Sequence, residues 1–354
     1  MSKERNATSD ARLSDDMSHV GDLPQGLDFL ETNAHLIMGE SQGYDICLLP
    51  LFWHVGGGRQ GKWRVDEVLM CQTTFFILPQ DQRGRMQDND FIGNRQDPTE
   101  WIGGDVQIVE HPDRIIWQVG NMQYICRPPY WEIKGEHMGV MCDLLLGGMG
   151  KADRTFGPWS NLATTRRAGY DQRCWVEGTI TVGGQKFTLE NGYGGHEILT
   201  LGETWDHMKA MGQAPYYWIS GMNESIQIFL FAMPGAGISY GRIYVDGLEI
   251  PFSQGEIFVN DLELWIDPKT GMQVPIRWHV NMNSAGGIAD MEIVAGGRGL
   301  FCVLTRSGYT LRYPFLSRAN GHIFLPDMKR VSIDNLMIYV EWGRSAMPLS
   351  GGAP

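Results

Sequence analysis

Several absences narrow what this sequence can be. Cysteine is scarce, with only six in 354 residues (Cys47, Cys71, Cys126, Cys142, Cys174 and Cys302), and no two form a Cys-x-x-Cys pair. Spacing this wide offers neither a zinc ribbon nor a disulfide framework, so buried free thiols in a reducing compartment are expected. No run approaches the ~18 apolar residues of a membrane span, and the polar N-terminal stretch lacks the apolar centre of a signal peptide. A soluble, cytoplasmic protein is the expectation. Basic charge is also short: the formal net charge is −12. Without a basic stripe to displace counterions from phosphate, nucleic acid is not an expected partner.

Catalytic signatures are missing as well. There is no Gly-x-Ser-x-Gly elbow, so Ser/His/Asp catalysis has no anchor. His196-Glu197 lacks the second histidine of a zinc-protease helix, and His196 with His207 has no third ligand close in sequence, so no metal site is expected. The glycine-rich Gly56 to Gly61 does not open a helix, which removes a nucleotide-binding loop. A convincing helical period is absent from every stretch longer than about a dozen residues.

What the chain has in quantity is glycine, 45 residues, together with 17 prolines and 11% aromatics. That combination suits many short strands joined by tight turns. Residues 1–26 are polar and aperiodic and read as a disordered leader. Strand signals run from Tyr44 to Val55 and from Glu67 to Leu78, an opening hairpin. The polar stretch Gln80 to Pro98 reads as a long loop or lid. A meander follows, with Asp105 to Glu110, Arg114 to Val119 and Met122 to Arg127 separated by turn residues. Lys151 to Arg167 is irregular and is the expected domain crossover, dividing the chain into domains at 27–165 and 166–354. Trp175 to Val182 and Gln185 to Glu190, split by Gly183-Gly184, form the clearest hairpin, because a two-glycine turn meets the positive φ of type I′. A second meander occupies the remainder. Successive meanders without intervening helices exclude a parallel α/β sheet and favour two antiparallel barrels or half-barrels.

Between the meanders lies the densest collection of proton-moving side chains, Asn191 to His207 (NGYGGHEILTLGETWDH). Its glycines let backbone or ligand approach closely. His196, Glu197, Asp206 and His207 are the candidate catalytic residues. Tyr193, Trp205, Tyr217 and Trp218 are the candidate substrate-binding residues, placed to wall a pocket and orient a polar ligand end. Strand alternation sends His196 and Glu197 to opposite faces unless the glycines distort the strand. The carboxyl partner of His196 is therefore either Glu197 or Asp206. His54 and His279 are weaker candidates.

The order of features (a Trp-containing apolar first strand, a glycine-rich link, the Trp175 to Glu190 hairpin, a Gly-x-Gly-Gly-His segment and the Tyr217-Trp218 strand start) resembles the two-domain lipocalin-like proteins related to carotenoid 1,2-hydratase and AttH. The resemblance runs over roughly residues 40 to 345. It implies an all-β chain of two tandem lipocalin-like barrels or half-barrels with few short helices. It also implies cofactor-free chemistry on a hydrophobic, terpenoid-like small molecule: hydration, dehydration or isomerisation by acid/base catalysis. Where the family's segment commonly reads Asp-His-x-Trp-Gly, this chain reads Gly195-His196-Glu197-Ile198-Leu199, so only His196 carries over. Two alternatives stay open, a non-enzymatic carrier of an apolar ligand and a pericyclase-like polyene cyclase.

Overall fold

A computed structural model describes residues 5–57, 59–60, 63–64, 68–86, 106–137, 139–154, 156–203, 215–245, 247–268, 270–305 and 308–346. The chain divides into two compact units, one of Met1–Gln42, Ile46–Phe75 and Thr99–Asp206, the other of Gly43–Asp45, Phe76–Pro98 and His207–Pro354. Each is built on one curled antiparallel sheet of ten strands, the tandem all-β architecture expected.

The first sheet contains β1 (Asp28–Ser41), β2 (Tyr44–Gly57) and β5 (Val68–Pro79), with a short β3 (Arg59–Gln60) and β4 (Trp63–Arg64) hairpin inserted between the last two. It continues with β6 (Val106–His111), β7 (Arg114–Val119), β8 (Met122–Arg127), β9 (Tyr130–His137), β10 (Val140–Gly148), β11 (Arg167–Val182) and β12 (Gln185–Gly202). Strand order is β5-β2-β1-β12-β11-β10-β9-β8-β7-β6. The second sheet holds β13 (Tyr216–Met222), β14 (Ile226–Met233), β15 (Ile238–Val245), β16 (Leu248–Phe252), β17 (Ile257–Ile266), β18 (Gln273–Ser284), β19 (Gly287–Arg298), β20 (Phe301–Thr305), β21 (Gly308–Phe324) and β22 (Arg330–Ala346). Its order is β16-β15-β14-β13-β22-β21-β19-β18-β17, with β20 on β21. Ile228, Leu230, Ile243, Trp278, Val280, Ile293, Phe315 and Val340 pack its core. Among the described residues no helix is long and apolar enough to cross a membrane.

Two expectations need correction. The crossover placed at 151–167 does not separate the sheets: β11 pairs with β10 on one side and β12 with β1 on the other, so the hairpin belongs to the first unit. The Gly183-Gly184 turn forms as read, with φ of 58° and 83°, but its two strands are long enough to link the first meander to β1. Nor is the leader disordered. Residues 5–26 carry two 3₁₀ turns, Leu13–Asp16 and Val20–Asp22, and Asp16 within them is fully buried. A polar composition reads as disorder when apolar surface is what holds a chain down. This segment is held by hydrogen bonds together with a small apolar contact, Leu23 and Val20 packing with Phe29, Leu162 and Ala168. The Gln80 to Pro98 lid lies outside the described residues from 87 onward, and Gln80–Gln82 forms a 3₁₀ turn.

Of the six thiols, Cys47, Cys126, Cys142 and Cys174 are buried and unpaired; the side chains of Cys71 and Cys302 lie outside the described residues. β1, absent from the sequence reading, runs beside β12 with His35 opposite His196. Gly194 permits this approach, since a Cβ there would sit 2.0 Å from the carbonyl oxygen of Leu36. Gly194→Ala must therefore separate β1 from β12. The expected cost is about 1–3 kcal/mol, measured by urea denaturation; a variant as stable as the parent would show that the two strands have room to spare.

Candidate functional site

Inside the first sheet, successive inward positions of β12 place Gly194, His196, Ile198 and Thr200 in the core. Glu197, one residue on, is half-buried on the opposite face, as strand alternation requires. Its cross-strand neighbour is Asp171. Burial, reinforced by the charge of Glu197, holds the Asp171 carboxyl well above the usual range, which describes two acids sharing one outer face rather than a partner for His196.

The partner is Asp16. Its Oδ1 lies 2.7 Å from His196 Nε2, with both side chains fully buried. Tyr170 donates its hydroxyl to the same oxygen at 2.7 Å, and Trp131 Nε1 donates to Oδ2 at 3.2 Å. Trp117 Nε1 holds the Asp16 carbonyl at 3.0 Å. Trp131 has only a donor to offer and Tyr170 is turned to donate, so the carboxylate acts as acceptor throughout. Burial first, and then Asp16, pushes the Tyr170 hydroxyl well above its ordinary value, so it stays protonated. With Nε2 directed at Asp16, His196 Nδ1 has no hydrogen-bond partner among the described residues. An imidazole oriented by a carboxylate at one nitrogen and open at the other is the arrangement of a general base.

The walls are aromatic and cross-linked. The His196 ring stacks on His35 at 4.6 Å and lies 5.1 Å from Trp131 and 5.4 Å from Tyr170. Tyr124 meets His35 edge-on at 5.0 Å and Phe52 at 4.3 Å. Asn33, two residues before His35 on β1, donates to Cys126 Sγ at 3.8 Å. Burial raises the Cys126 thiol well above its ordinary value and Asp16 adds to it, against the opposing effect of Asn33.

The segment that carries Asp16 is pinned along its length. Thr8 bridges Met149, Ser9 Oγ donates to Gln172 at 2.5 Å, and Asp10 accepts from Ala152 N at 2.7 Å. Further on, Ser18 Oγ and His19 N each donate to the fully buried Glu31 at 2.6 Å. Glu31 also receives Thr200 Oγ1 at 2.9 Å and faces His54 Nδ1 at 3.1 Å. His19 stacks on Trp159 at 3.7 Å. The segment thus gives one buried acid to the barrel and receives another from it.

The remaining candidates scatter. Trp205, Asp206 and His207 lie outside the described residues. Tyr193 is half-buried, with the Arg5 guanidinium 5.6 Å over its ring. Tyr217 and Trp218 belong to the second unit: the Tyr217 hydroxyl donates to Asp261 at 2.8 Å, while Trp218 packs edge-on against Phe229 and Tyr339. His54 serves Glu31, and His279 faces Asp290 on a partly exposed surface. Asp16, Tyr170, His35 and Cys126 escaped the sequence reading. The one signal for them was the pair of adjacent acids, Asp15-Asp16, within a stretch whose charge argued for solvent.

The molecule is therefore an all-β protein of two lipocalin-like sheets with a buried Asp-His-Tyr cluster in the first. No family model matches the chain, and no characterised sequence matches it. Among solved structures it is similar to a protein assigned as AttH from Nitrosomonas europaea, at 10% identity and a TM-score of 0.58 over 94% of this chain and 96% of that one. It is also similar to CghA, solved with Sch210972, at 9% identity and a TM-score of 0.53 over 90% and 89%. A kievitone hydratase from Nectria haematococca overlaps 97% of each chain at 8% identity, with a TM-score of 0.46. At these identities the likeness is one of fold.

His35 carries a pH signature. Its burial, with His196 beside it, holds the imidazole well below its ordinary value of 6.5. The unfolded chain takes up this proton below about pH 6.5, whereas the folded chain does not, so stability present above that pH is lost as pH falls. The groups facing His35 are His196 and Tyr124, with Asp16 and Cys126 behind His196. His35→Phe is expected to flatten the stability profile between pH 6.5 and 5, removing a slope of up to about 1.4 kcal/mol per pH unit. Parallel denaturation profiles for parent and variant would contradict this.

Proposed function

We propose that the first unit is a proton-transfer site for an apolar small molecule and that the protein acts as a lyase, a hydratase or dehydratase, or as an isomerase. The observation that carries the reading is His196, bound to Asp16 through Nε2 and without a hydrogen-bond partner at Nδ1 among the described residues, packed among aromatic rings. CghA, which shares the fold, has been solved with a small molecule, Sch210972, which supports a ligand-holding role for the architecture.

In this reading His196 Nδ1 removes a proton from the substrate, or from water as it adds, and Asp16 stabilises the imidazolium that results. Tyr170 and Trp131 keep the carboxylate aimed, so little reorganisation accompanies transfer. In a dehydration the proton passes to the departing hydroxyl, which leaves as water; in an isomerisation it returns to the far carbon of the shifted double bond; the dehydration run backwards is the hydration. The aromatic rings exclude water and strengthen the Asp16–His196 interaction in a low-dielectric setting. A substrate reaches Nδ1 only when the interior opens, because His196 is fully buried.

The carrier reading draws on the same lining. Trp117, Trp131, Tyr124 and Phe52 would hold an apolar ligand without any proton transfer.

Incubating the protein with a panel of terpenoid alkenes and allylic alcohols in ¹⁸O-labelled, deuterated water separates the two. The enzyme reading expects label in a product, with turnover reduced about 10²-fold or more in His196→Asn and Asp16→Asn. Turnover insensitive to His196 would overturn the assignment, and saturable binding with no label in any product would favour the carrier.

A further inference from the structure

The cluster that positions His196 is also a set of metal ligands. One atom each from Asp16, Cys126 and His196 lie mutually within 4.8 Å, and all three residues are buried. They come from the N-terminal segment, β8 and β12, so no sequence spacing announces them. A tetrahedral zinc site with bonds of 2.0–2.3 Å needs ligand atoms about 3.3–3.8 Å apart, so Asp16 Oδ1 and His196 Nε2, 2.7 Å apart, must separate to admit the ion.

A second observation points the same way. His35 is fully buried, and neither of its ring nitrogens has a hydrogen-bond partner among the described residues. Leaving a buried polar atom unpaired costs about 1–3 kcal/mol, and a core packed with aromatic rings has no evident reason to keep an imidazole there. His35 is the register partner of His196 and stacks on it; it stands beside the three atoms that lie within 4.8 Å of one another rather than among them, so its ring must turn to bring a nitrogen to the same centre. Asp16 already has the outer support of a metal-bound carboxylate, from the Tyr170 hydroxyl and the Trp131 indole. Charge favours the ion too. An Asp16 carboxylate and a Cys126 thiolate neutralise a divalent cation, whereas no lysine or arginine among the described residues pairs with Asp16.

We propose that Asp16, Cys126 and His196, with His35 as fourth ligand, form a buried site for a zinc-class divalent ion. The mixed sulfur, nitrogen and oxygen set selects Zn²⁺ or Co²⁺ over Mg²⁺ or Ca²⁺. Binding converts the Cys126 thiol to a metal thiolate and releases its proton to solvent, so occupancy rises with pH. The ion binding stands on this geometry alone. Its consequence rests on the proton-transfer reading: an ion on His196 Nε2 breaks the link to Asp16, so zinc inhibits turnover.

Cobalt(II) titration of the full-length, reduced protein tests the site without any substrate. One equivalent of Co²⁺ is expected to bind with a thiolate-to-metal charge-transfer band and tetrahedral d–d absorption, and Zn²⁺ is expected to displace it. The thiolate band should vanish in Cys126→Ala and persist in Cys142→Ala. His35→Phe should keep the band and weaken Zn²⁺ binding at least tenfold. Absence of the band in the parent protein, which needs no variant to fold, overturns the proposal, as does a band that survives Cys126→Ala. Stoichiometric binding with zinc-insensitive turnover would leave the site standing and count against the role of the Asp16–His196 link in proton transfer.

Discussion

The buried Asp16 carboxylate is the constraint on which the first unit depends. A carboxylate with no solvent contact is tolerable only when its oxygens are filled by donors, and Asp16 receives His196, Tyr170 and Trp131. Those three donors come from β12, β11 and β9, so satisfying one charge fixes the relation of three strands to the N-terminal segment. Glu31 does the converse, reaching from β1 to accept from Ser18 and His19. Together the two acids explain how a polar segment with two 3₁₀ turns can be part of a barrel interior. They also explain why the interior keeps polar groups amid its aromatic rings: the charges tie the segment down, and the rings give those charges a low dielectric.

The local grammar of the sheets was legible in the sequence. The glycine turn at Gly183-Gly184, the meander strands between Val106 and Arg127 and the opposite faces of His196 and Glu197 all follow from period-two patterning and turn chemistry, which act between near neighbours. The resemblance to lipocalin-like proteins extended this to the two-sheet architecture. His196 stands out in the sequence because its glycine-rich surroundings mark a close backbone approach, and the contact of Gly194 with Leu36 is that approach.

Long-range partners were not legible. Asp16 and His196 are 180 residues apart, and nothing in the composition around Asp16 distinguishes a buried acid from a solvated one. β1 was missed because its sequence, DFLETNAHLIMGES, mixes acid, amide and histidine with apolar residues where a strand facing solvent on one side would alternate. The structure buries both faces of most of this strand, so its polar residues answer to Thr200, Cys126 and His196 rather than to water. The misplaced domain boundary has the same origin. Irregular residues between β10 and β11 look like a linker, yet the pairing of β12 with β1 is what decides membership in a sheet, and that pairing joins distant parts of the chain.

The central claim is that Asp16 and His196 act as one unit, and a double-mutant cycle measures it most directly. Unfolding free energies of the parent, Asp16→Asn, His196→Asn and the double variant, from urea denaturation at neutral pH, yield the coupling between the two side chains. Residues sharing one buried hydrogen-bond network are expected to couple by about 1–3 kcal/mol. Additive losses would mean that the N-terminal carboxylate and the β12 histidine are independent, which contradicts the claim.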